Sequence, residues 1–102
     1  MNDVPLEIQR EKAEMLIKMV SEASGISTDD FRTLPKGLSV NVARGVACVL
    51  SRELHIIPRI FGEAFGRSRA NVVNISKCYR GYLSTNDKAT VELYHKVRQM
   101  LP

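Results

Sequence analysis

Apolar residues recur at three- and four-residue steps along most of this chain, the spacing that lines one face of an α-helix, and no stretch alternates long enough to read as a strand. Over residues 5–24, Leu6, Ala13, Leu16, Ile17, Val20 and Ala23 form one such stripe, and Gly25 supplies a stop. Glu7, Arg10, Glu11, Glu14, Lys18 and Glu22 occupy the other face. Because that face is largely acidic, the helix is not expected to bind an anionic membrane; packing against the body, or pairing with a second copy, is expected instead. Ser27 or Thr28 can cap a short helix through Asp29, Asp30 and Phe31, whose carboxylates favour the positive end of the helix dipole. Residues 33–37 read as a loop. From a cap at Ser39, the stripe of Val40, Ala43, Val46, Ala47, Leu50 and Leu54 predicts the central helix of the core. Val42 and Val49 broaden it, and Arg44 and Arg52 are expected to leave on the other side.

Residues 57–82 then hold two short helical patterns broken by Gly66, Arg67 and Ser68. Pro58 fits the first turn of a helix, where its missing N–H does no harm, and Gly66 can take the left-handed conformation that closes that helix after Phe65. Ser68 can cap the next helix by accepting a hydrogen bond from a free N–H near Ala70 or Asn71. Two helices about so sharp a turn form the outline of a helix-turn-helix. Ser84, Thr85, Asn86 and Asp87 offer caps for a last helix with Ala89, Leu93, Val97 and Leu101 on one stripe. The expectation is an all-α, compact six-helix domain spanning residues 1–102 around one core, with residues 1–15 extending the first helix.

Composition adds a charge asymmetry. Residues 1–30 hold three Lys/Arg against seven Asp/Glu, a net of about −4, and residues 31–82 hold nine against two, about +7. An acidic lead-in followed by a cationic stretch points to one polyanion-facing surface. No apolar run reaches the roughly 18 residues needed to cross a bilayer, and the charged first segment does not read as a signal peptide. A soluble, cytoplasmic protein is expected. Cys48 and Cys78 lack CxxC partners and read as two reduced, half-buried thiols. His55 and His95 stand alone, so no metal is expected. No Ser-His-Asp order, Cys-His pair or clustered carboxylates suggest catalysis, and neither an enzyme nor a cofactor is expected.

On a helical wheel of the second helix of the pair, Val72, Ile75, Tyr79 and Tyr82 share one face, and Ala70, Asn74, Lys77 and Gly81 lie roughly opposite. Arg67, Ser68, Arg69 and Asn71 cluster at its start. A helix anchored on one side, with small polar side chains on the other, is what the major groove of double-stranded DNA admits. Arg69 can fork onto guanine, Asn71 or Asn74 can pair with adenine, and Ala70 can touch a thymine methyl. Lys77 and Arg80 lie further along and suit phosphates. Lys36, in the loop, can reach the backbone or an adjacent minor groove. Tyr79 and Tyr82 read as core rather than as stacking platforms.

VSEASGISTDDF, VARGVACVLSREL, GEAFG and RSRANVV together resemble the C-terminal DNA-binding domain (domain IV) of the bacterial replication initiator DnaA, a Trp-repressor-like helical domain, over about residues 16–101. That family's signature reads G-G-R-D-H-T-T-V. Arg67 matches its Arg, Ser68 stands for its Asp, Arg69 for its His, and Ala70 and Asn71 for its two Thr residues. Lys36 lies where the family has an arginine-rich loop that contacts the minor groove, and Arg44 matches a basic position of its central helix. No GxxxxGK[ST] phosphate loop is present, so the initiator's ATPase module has no counterpart here. The resemblance implies a stand-alone, nucleoid-associated DNA-binding module that regulates replication initiation or transcription. The competing expectation is an adaptor or antagonist that binds a replication protein, or pairs through its first helix, and has lost specific DNA reading.

Overall fold

The computed structural model describes residues 5–33 and 37–102. Six helices follow in order: α1 (Leu6–Ser24), α2 (Thr28–Thr33), α3 (Leu38–Glu53), α4 (Pro58–Phe65), α5 (Arg69–Ser84) and α6 (Lys88–Met100). The described residues contain no strand. A radius of gyration of 12.5 Å is that of a compact domain of this length. Local chemistry sets the helix ends. Gly25 closes α1 in the left-handed region with its N–H on the Ser21 carbonyl, and the Ser27 hydroxyl accepts from the Asp30 N–H to open α2. The Asp87 carboxylate accepts from both the N–H and the hydroxyl of Thr90, at 3.2 and 2.6 Å, and starts α6. The central helix departs from expectation at its start. It begins at Leu38 with Gly37 as an extended N-cap, which puts Ser39 inside the first turn.

Helix α3 runs through the middle of the core, where Ala43, Val46, Ala47, Cys48 and Leu50 are fully buried. Leu16, Ile17 and Val20 of α1, Phe31 of α2, Phe61 and Phe65 of α4, Val72 of α5 and Val97 of α6 close around it. Each such aliphatic or aromatic side chain contributes roughly 1.5–3 kcal/mol by leaving water. Longer side chains tie the periphery together. Arg32 donates through Nε to the Ala64 carbonyl at 2.8 Å, joining α2 to α4, and Lys96 donates to the Ala23 carbonyl at 3.0 Å, joining α6 to the end of α1.

Four expectations are corrected. Leu6 does not join the apolar stripe: it is 47% exposed, as Ile8 is at 43%, and the buried side chain of that first turn is Gln9. Gln9 Nε2 donates to the His55 carbonyl at 3.3 Å and Oε1 accepts from the Ile57 N–H at 2.9 Å, so the carboxamide is satisfied at both ends and clips α1 to the segment before α4. Arg44 does not leave α3 toward solvent. It is 4% exposed, with Nε donating to the Phe31 carbonyl at 2.8 Å. The thiols are not alike: Cys48 is buried and Cys78 exposed, and burial pushes the Cys48 thiol well above its usual range. Tyr82 is 44% exposed rather than in the core, its ring edge-on to Tyr79 at 4.9 Å. Among the described residues no helix is long and apolar enough to cross a membrane.

Candidate nucleic-acid interface

The turn between α4 and α5 is built from four residues acting locally. Pro58 sits at the start of α4, and Gly66 ends it in the left-handed region at φ 74°. The Arg67 N–H then donates to the Gly62 carbonyl at 2.8 Å, and the Ser68 hydroxyl accepts from the Asn71 N–H at 3.2 Å. Gly62 is needed for a reason the residue pattern does not display: a Cβ there would run into the backbone carbonyl of Arg67. Backbone in a tight turn cannot swing aside as a flexible side chain can. Gly62→Ala is therefore expected to destabilise by about 1–3 kcal/mol despite alanine's better helix propensity. Gly81, in α5, has nothing within 4 Å of the corresponding position, and Gly81→Ala should be neutral or stabilising by up to about 1 kcal/mol. Urea denaturation of the pair is the check, and a Gly62→Ala variant as stable as wild type would remove the close-approach argument.

One side of α5 is anchored. Val72 and Ser76 are buried, and Val73, Ile75, Tyr79 and Leu83 are half-buried. The Tyr79 ring lies over Gly45 of α3, at a spot where any Cβ would overlap it, so α3 and α5 approach closely there. Ser76 was not expected inside; a serine at the anchoring face gives no apolar signal.

The other side is open. Ala70, Asn71, Asn74, Lys77, Cys78 and Gly81 are exposed, flanked by exposed Arg69 and Arg80, and α5 carries no Asp or Glu. Of the residues expected to contact DNA, Ser68, Arg69, Ala70, Asn71, Asn74 and Lys77 thus stand in solvent around the start and outward side of α5, and Arg67 is half-buried in the turn. Arg44 lies at the back of this surface rather than on it. Lys36 falls outside the described residues.

Between α3 and α5 runs a groove of about 320 Å³ lined by Asn41, Arg44, Arg67, Asn71, Asn74, Ile75, Cys78 and Tyr79. It joins Arg44 to Arg67, Asn71 and Asn74, which lie more than 20 residues further along the chain. Among the described residues no carboxylate lines it. Burial, and secondly the charge of Arg67, lower the pKa of Arg44 from its ordinary value, so an anion entering the groove would favour the charged guanidinium. Asn41 was missed by sequence reasoning, since only the crossing of the two helices brings it there.

No family model, curated protein or solved structure matches the chain. The likeness to the initiator domain rests on the quoted residues. Acidic side chains gather elsewhere: Glu14 and Glu63 line a shallow surface with Arg10, Ile60 and Ala64, and Glu14 also meets Arg32 at 3.5 Å. Among the described residues no group of three or more His, Cys, Asp or Glu side chains could hold a metal ion.

Proposed function

We propose that the protein binds double-stranded DNA sequence-selectively through a helix-turn-helix formed by α4 and α5, and that this module regulates replication initiation or transcription. The observation that carries this reading is the outward side of α5: solvent-exposed, free of carboxylates, set with short polar side chains and bordered by Arg67, Arg69, Lys77 and Arg80. A major groove about 12 Å wide admits a helix presenting such a side. Arg69, Ala70, Asn71 and Asn74 are the base-reading residues of this proposal, with Lys77, Arg80 and Lys36 on phosphates. The resemblance to the initiator's C-terminal domain favours the same partner.

Salt dependence is the test. With Lys36, Arg67, Lys77 and Arg80 neutralising four phosphates, log K should fall against log salt with a slope of about −3.6, and selected sites should bind roughly 10³-fold or more above random duplex. No binding to a broad duplex library at low salt ends the proposal. A second reading, an adaptor that binds a replication protein or a second copy, is favoured by the start of α1, where Leu6 and Ile8 are exposed beside Glu7 and Glu11. Charge reversal there would abolish function under the adaptor reading and leave duplex binding intact under the first.

A further inference from the structure

We propose that the groove between α3 and α5 is a seat for one phosphate group of a nucleotide unit, held by Arg67 and by the side-chain amide of Asn41, with Asn71 and Asn74, which also line it, left to the bases. The proposal rests on the duplex-binding reading for the source of the phosphate, a strand of DNA. Three features of the groove point to this chemistry. Among the described residues its lining includes two guanidiniums and three carboxamides, so N–H donors dominate, and no lining residue is an Asp or Glu. Arg44, nine-tenths buried, is fixed in its wall by the Phe31 carbonyl, which presents a charge that needs no rearrangement to act. Finally, about 320 Å³ is more than a lone ion needs and enough for a phosphate with part of its sugar.

The consequence is that α3 belongs to the interface. A strand whose phosphate sits here crosses the first turns of α3 as well as the start of α5, and Asn41 becomes a contact that the helix pair alone would not supply. The Ile75 and Tyr79 side chains form the apolar part of the lining, where a sugar face can rest.

Asn41→Asp is the test. Asn41 is half-buried near the N-terminus of α3, where the helix dipole tolerates a carboxylate, so the variant should fold with an unchanged or raised Tm. Its carboxylate would occupy the seat. Duplex affinity should fall about tenfold or more and the salt slope should flatten by about 0.9 relative to wild type. Gln99→Glu makes the same change in net charge at an exposed site of α6, and should alter affinity less than about twofold. If wild type binds duplex and Asn41→Asp matches Gln99→Glu in affinity and slope, the seat is overturned and the DNA reading stands. If wild type binds no duplex, NMR titration with inorganic phosphate decides: a shift in the side-chain amide of Asn41 supports a seat for free phosphate, and none overturns it.

Discussion

Replacing Phe65 by alanine should lower the stability of the domain by about 3–5 kcal/mol, a large share of the roughly 5–15 kcal/mol typical of a whole domain. All three phenylalanines of the chain are fully buried, and Phe65 joins the other two, with ring centroids 5.5 Å from Phe31 and 5.1 Å from Phe61. Truncation removes the ring's transfer free energy and leaves a cavity at the meeting of α2, α3 and α4 that close-packed neighbours refill only in part. At roughly 4–8 °C per kcal/mol, Tm should drop by more than about 12 °C in a thermal scan followed by circular dichroism. The damage should extend beyond stability. Phe65 immediately precedes the left-handed Gly66, and the Phe31 carbonyl holds Arg44, so both the angle of α5 and the back wall of the groove depend on this ring cluster. A Tm within about 4 °C of wild type would mean that the aromatic cluster does not organise the core.

Converting both Arg69 and Lys77 to glutamate should weaken duplex binding by about 100-fold or more near 0.1 M salt, while leaving Tm almost unchanged. Both side chains are exposed and neither anchors a neighbour by a hydrogen bond or ion pair between described residues, so each substitution should alter stability by no more than about 0.5 kcal/mol. Their effect on binding comes from replacing two cations by two anions on a side of α5 that otherwise bears no negative charge. Loss of the phosphate contact of Lys77 should flatten the salt slope by about 0.9, and charge reversal at both positions adds repulsion to that loss. Fluorescence anisotropy with a selected duplex, across a salt series, reads both quantities. Unchanged affinity in a folded double variant would move the function away from α5 and toward the adaptor reading, for which Glu7→Lys with Glu11→Lys is then the decisive variant. The two sets of substitutions separate causes: Phe65→Ala disturbs the frame and thereby the site, and Arg69→Glu with Lys77→Glu disturbs the site alone.

The elements of this fold are legible in the chain because their signals are local. Gly25, Ser27, Pro58, Gly66, Ser68 and Asp87 act on backbone groups within a turn of themselves, so their types and spacings announce where helices start and stop. The stripes of α3 and α6 likewise depend only on helical periodicity. Even the outward side of α5 follows from the wheel, given that Val72 and Tyr79 face inward.

Burial of individual polar and apolar side chains followed from tertiary contacts instead. Gln9 is inside because the segment before α4 offers it a donor and an acceptor, and Arg44 is inside because the Phe31 carbonyl lies across from it. Leu6, Ile8 and Tyr82 remain in solvent because, among the described residues, no helix covers them, which periodicity cannot foresee. The groove is the clearest case. Asn41 and Arg44 meet Arg67, Asn71 and Asn74 through a helix crossing made close by the missing side chain of Gly45 beneath the Tyr79 ring. The sequence by itself determined six amphipathic helices, their caps and the cationic, carboxylate-free character of α5. Only the tertiary structure decided which of those cations share a surface, since distance in space between far-separated residues is set by packing and not by spacing along the chain.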